Sequence, residues 1–184
     1  MTPRRNSSLE STGSEESCVE DLVPTPIFSG EVQFNAPSAI SFASATTKFA
    51  SPMTHGTLMS DFVAEPRALR DWNDVFSTEG FTEMVITWPG LHQEWTIPMA
   101  NVIGGKDCIS RAELARLVVD QFNLFIVSAS SCSSPEWRLG EAPNAYSTKN
   151  TSLAFLWSPA PGVWQPAFRV RNQFYNIKNQ PSTT

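Results

Sequence analysis

The sequence predicts an α+β domain: a small antiparallel sheet with one main helix packed on a face, preceded by a disordered N-terminal leader. Three observations predict it. Residues 1–65 are rich in Ser, Thr, Ala and Pro and carry no sustained apolar period. Residues 66–172 hold two pairs of β-rich segments, each pair separated by a turn containing Pro-Gly. Between those pairs stands one strong helix signal. Residues 173–184 read as a polar tail.

The leader is acidic. Up to Glu65 it holds three cations and eight anions, which accounts for the whole formal net charge of −5. The remainder balances ten cations against ten anions, so neither part offers the broad basic surface that nucleic acid requires. Phe28, Phe34, Phe42 and Phe49 recur every six to eight residues and read as sparse apolar points in an extended arm. Arg4-Arg5-Asn6-Ser7 has the form of a basophilic kinase site, and Ser14 and Ser17 lie beside acids; phosphate there deepens the negative charge.

The domain elements follow in order. In "AEPRALRDWNDVFS", Pro66 suits a first turn, and Leu69, Trp72 and Phe76 share one helical face; a short helix is predicted, broken at Gly80. Residues 83–88 alternate as a strand, Pro89-Gly90 turns the chain, and residues 94–97 return, with Pro98 ending the strand. Gly104-Gly105 make a loop. Ser110 and Glu113 form an S-x-x-E capping box, and Leu114, Leu117, Val118, Phe122 and Phe125 follow at helical spacing, predicting a helix over 111–126. Trp137–Leu139 read as a short strand between loops. Residues 152–157 and 163–170 read as a closing hairpin across Ser158–Gly162.

Function is less legible. His92 and Glu94 at the first hairpin tip are an acid–base pair, and Cys108 or Ser110 is the nearest nucleophile in sequence; together they define a hydrolase-like alternative. No G-x-S-x-G elbow supports it. "GGKD" before the helix departs from the phosphate loop, because Asp107 stands where a hydroxyl is needed. With only two His, His55 and His92, and with Cys18, Cys108 and Cys132 widely separated, no metal site and no cofactor are expected. Six Trp all fall after residue 66, and most read as core anchors; Trp88, Trp95 and Trp164 become binding residues if exposed. The C-terminal "FRVRNQFYNIK" interleaves Arg169, Arg171 and Lys178 with aromatics, which fits a guarded sheet edge better than a single-strand nucleic-acid site.

No apolar run approaches the ~18–20 residues of a membrane span, and the start is polar, so a cytoplasmic or nuclear protein with reduced thiols is expected. The leading functional expectation is a non-enzymatic interaction module for a protein or peptide partner. A self-associating structural protein is a third reading.

Three segments resemble a fungal, mainly basidiomycete, family of uncharacterised domains. They are "MVITWPGLHQEWTIPM", "ISRAELARLVVDQF" and "LAFLWSPAPGVWQPAFRV", which together span much of residues 83–170. The resemblance implies a compact domain behind a Pro- and Ser-rich leader. It implies no activity and transfers no functional residue. The long loops around Cys132 and Tyr146 depart from it.

Overall fold

The computed structural model describes residues 20–23, 39–46, 56–91, 94–129, 134–142 and 144–171. The fold class is α+β, as predicted. The long hairpin of β8 (Thr151–Ala160) and β9 (Val163–Arg171) is the spine of a seven-stranded sheet. On the far edge of β9 lies β5 (Glu83–Ile86), and beyond it β6 (Trp95–Pro98), in the register Ile86↔Trp95. The first predicted hairpin is therefore present, with Pro98 as its last strand residue.

The sheet is not purely antiparallel, which corrects the prediction. β5 runs parallel to β9, pairing Glu83 with Val163 and Met84 with Trp164. The two hairpins meet side by side rather than in chain order, and the helical crossover between them supplies the length a parallel pair needs.

Segments before residue 65 also pair with this sheet. β1 (Glu20–Leu22) pairs with the end of β9; β2 (Ile40–Ser41) and β3 (Thr57–Leu58) pair with the outer edge of β8. A six-residue helix, α1 (Met59–Ala64), follows. Val23, Ile40, Phe42, Met59 and Phe62 all join the main core, so isolated apolar residues in a polar segment serve as packing anchors. Thr57 Oγ1 donates to the Phe42 carbonyl at 2.8 Å, tying two of these pieces together. Gly56 lets the start of β3 lie close on β8, since a Cβ there would stand 2.6 Å from the Leu153 carbonyl oxygen. Residues 1–19, Phe28, Phe34, Phe49 and His55 lie outside the described residues, as do Cys18, Cys132 and 172–184.

The predicted helix after Pro66 is instead a single 3-10 turn, Pro66–Ala68, followed by a bend and a strand, β4 (Val75–Ser77). Asp71 takes a positive φ of 51°, which ends any helix, and Leu69 is already extended. The apparent stripe dissolves: Leu69 is buried, Phe76 is half-buried and Trp72 is exposed. β4 pairs with β7 (Cys108–Ser110) as a separate two-stranded ribbon. Between β6 and β7 lies a short helix that the sequence did not announce, α2 (Met99–Ile103), stopped by Gly104 in the left-handed conformation. Trp137–Leu139 is no strand; Leu139 makes one bridge to Tyr146. The closing turn is tighter than predicted, with strand continuing to Ala160.

The main helix, α3 (Arg111–Ala129), packs its inner side on the sheet through Leu114, Val118, Phe122 and Phe125. Trp88 is the centre of that core. Its ring is fully buried among Phe122, Trp137, Tyr146 and Phe168, and its Nε1 donates to the Trp137 carbonyl at 2.7 Å. A buried indole thus keeps its one donor satisfied. The opposite sheet face carries a smaller cluster of Ala154, Phe155 and Ala167. Gln165 is buried too, donating from Nε2 to Thr87 Oγ1 at 2.9 Å.

Candidate functional site

The start of α3 is built by several converging pieces of chain. Ser110 N–H donates to Glu113 Oε2 at 2.9 Å, and Glu113 N–H donates to Ser110 Oγ at 3.2 Å, so the predicted capping box is formed in full. The bend at 71–74 adds a second cap. Arg111 N–H donates to the Asp74 carbonyl and Ala112 N–H to the Trp72 carbonyl, at 2.8 and 3.0 Å. The Arg111 guanidinium donates to the carbonyls of Ser41 and Asp71 and to the Asp74 carboxylate, and lies 5.1 Å over the Phe76 ring. One side chain therefore fastens β2, the bend and the ribbon to the helix start.

This junction shapes a groove of about 420 Å³ between α1, α2, β7 and the outer side of α3. Its floor is apolar: Phe62, Ile103 and Ile109 are buried, and Val102 and Leu117 are half-buried. Its rim is charged and exposed. Lys106 Nζ meets Glu113 Oε1 at 2.9 Å, and Arg116 Nε meets Asp120 Oδ1 at 3.3 Å. The Lys106 ammonium, with the two Ser110 donors, holds the Glu113 carboxyl at a pKa of about 2. A volume in this range, with an apolar floor and few charged groups, suits a ligand or peptide side chains.

The apolar surface continues past the groove. Leu124 is 53% exposed and Val127 78% exposed, both on the outer side of α3. With Leu117 they recur at i, i+7 and i+10, a second stripe beside the core-facing one. At the other end, Trp72 is 38% exposed with the Arg67 guanidinium 5.8 Å from its ring, next to the groove residue Pro66.

The residues singled out from sequence fall elsewhere. Trp88 is buried. Trp95 is half-buried against Phe125, its ring centroid 6.3 Å away, and its buried Nε1 has no partner among the described residues. Trp164 is half-buried, stacked on Phe81 at 4.3 Å, and donates to the Gly80 carbonyl. All three are packing residues first. His92 lies outside the described residues. Cys108 is an exposed free thiol on β7, opposite Ser77. Glu94 is exposed beside Trp95, at the Phe125 end of α3, whereas Cys108 precedes the helix start. Arg111 and Phe125 are about 21 Å apart along the axis, so the structure does not bring Glu94 and Cys108 together. Ser110 is occupied as the cap. Among the described residues no group of three or more His, Cys, Asp or Glu converges as metal ligands, and no helix is long and apolar enough to cross a membrane.

Sequence reasoning missed the groove because its walls come from α1, α2 and β7, short elements without periodic signals. One signal was present: α3 carries more apolar residues than one buried face requires, and Leu117, Leu124 and Val127 are the surplus. No family model, curated protein or solved structure matches the chain.

Proposed function

We propose that this protein is a non-enzymatic interaction module that holds a protein or peptide partner in the groove beside α3. The open apolar floor carries this reading. Phe62, Val102, Ile103, Ile109 and Leu117 line one concavity that leads onto the exposed Leu124 and Val127. Apolar surface of that continuity, rimmed by charge, is the usual form of a recognition site. Affinity would come from apolar anchors seated on the floor, and register from the four rim charges, which are solvated and contribute little energy themselves.

The test is to fill the groove without disturbing the core. Ala112 lines it and is only half-buried. Peptides selected from a displayed random library against the full chain are expected to lose binding to an Ala112→Phe variant that melts at the parental temperature. Selected peptides that bind both forms equally would place recognition elsewhere on the surface.

A further inference from the structure

We infer that the second face of the sheet, the one away from α3, is an intramolecular docking surface whose occupant is the chain's own residues 24–38. The face is built by β8 and β9 and reaches β5. In β8 the register slips between Leu153 and Phe155, so Ala154 and Phe155 both leave the main core and join Ala167 of β9. Gln165 lies two residues along the same side of β9, and its bond to Thr87 brings in β5. Ala154 and Gln165 are fully buried, Phe155 is 2% exposed and Ala167 3%. Flanking alanines are too short to roof a phenyl ring, so the sheet does not shield itself. Among the described residues only Trp157, half-buried, packs against this cluster. The helices are used elsewhere: α1, α2 and α3 all place their buried residues in the main core. The cover therefore comes from outside the described residues. Gln165 Oε1 is buried there without a partner among the described residues, an acceptor suited to an arriving backbone N–H.

Topology names the segment. β1 ends with the Val23 N–H donating to the Phe168 carbonyl, on the edge of β9 that also carries β5. β2 begins with Ile40 opposite Leu156, on the outer edge of β8. Both β9 and β8 stand between those ends, a crossing of about 14 Å at three strand spacings. Residues 24–38 have a reach of roughly 50 Å, ample for it. The α3 face is filled by the helix and by Trp88, and a path round either end of the hairpin would leave Phe155 and Ala167 open to water. Residues 47–55 connect β2 to β3, which share one edge of β8, and need not cross. Residues 1–19 and 172–184 each join the sheet at one end, so nothing requires them to cross. Composition agrees with the assignment. Residues 24–38 contain Ile27, Phe28, Val32 and Phe34 to set against Phe155, Trp157 and the alanines. Their one charged residue is Glu31, and Arg169 is the cation on that side of β9.

The experiment uses the full chain. Trp157→benzoylphenylalanine puts a photo-crosslinker at the border of the face. After irradiation, mass spectrometry is expected to find adducts within residues 24–38 of the same chain. Adducts elsewhere in the chain, in a second copy, or none, would overturn the inference. A thiol reporter reads the same cover. In a chain with Cys18, Cys108 and Cys132 replaced by Ser, Ala167→Cys should react slowly with a soluble thiol reagent. Replacing Ile27, Phe28, Val32 and Phe34 with Ser should speed that reaction about tenfold or more. Ala115→Cys, buried in the main core, should stay slow in the same background. An Ala167→Cys rate unmoved by the four replacements would overturn the inference. If both thiols open together, the whole fold depends on these residues, and the crosslink decides.

Discussion

The two sides of α3 both carry apolar residues, but in opposite surroundings. The inner side sets Leu114, Val118, Phe122 and Phe125 against Trp88 and the sheet, all at 2% exposure or less. The outer side sets Leu117, Leu124 and Val127 against a groove and solvent. What separates them is enclosure. Apolar area on the inner side is removed from water by folding and stabilises the domain. The same kind of area on the outer side stays in contact with water. A stability measurement should therefore report strongly on the first and hardly on the second.

The largest effect is expected at the inner centre. Trp88→Ala removes a fully buried indole ringed by Phe122, Trp137, Tyr146 and Phe168 and should cost about 3–5 kcal/mol in urea unfolding. Trp95→Ala should cost less, because that ring is half-buried on one helix residue. Equal losses at both positions would mean that the hairpin, rather than the ring, carries the stability.

Next comes the junction where the two sides meet. Arg111→Ala leaves the carbonyls of Ser41 and Asp71 without their guanidinium donor and should cost about 2–3 kcal/mol. Arg111→Lys should recover little, since an ammonium cannot span three acceptors in a planar fork. Full recovery by lysine would show that charge opposite Asp74, and not geometry, matters there.

These two positions also show what was legible in the sequence. The first hairpin, the closing hairpin and α3 were readable because each repeats a local period or carries its own turn and cap. Glu113 three residues after Ser110 needs no tertiary information. Phe42, Met59 and Phe62 were not readable, because a lone apolar residue in a polar stretch has no period; only its long-range pairing partner on β8 or α3 makes it core. The fork of Arg111 was hidden for the same reason, since Ser41 lies 70 residues away. The groove was half-legible: Leu117 was seen as part of the helix, but the facing wall comes from α1, α2 and β7, distant in sequence and without a period of their own.

A smaller effect is expected at the cap. Ser110→Ala should cost about 1 kcal/mol by removing one half of the box. The pH dependence follows from Glu113. Its folded pKa of about 2 lies below the ordinary 4.5, so its contribution is complete above pH 4.5 and is lost as pH falls toward 2. The side chain is half-exposed, so the loss stays at or below about 1 kcal/mol after solvent screening. Glu113→Gln should remove that slice of the acid transition, read as a smaller stability difference between pH 6 and pH 3. An unchanged difference would mean that another carboxylate governs acid unfolding.

The smallest stability effect is expected on the outer side of α3, past the groove. Leu124→Glu and Val127→Glu place charge on residues 53% and 78% exposed, so unfolding should shift by no more than about 0.5 kcal/mol. Glutamate is itself a strong helix former, so Leu124→Glu gives α3 no reason to fray, and at Val127, in the last turn, it costs only about 0.3 kcal/mol against the helix dipole. If either variant instead unfolds with a loss of about 2 kcal/mol, that part of the outer side is enclosed in the folded chain and is core. If stability holds and binding falls, the two sides of α3 divide folding from recognition, and the apolar surplus on one helix is explained by its second task.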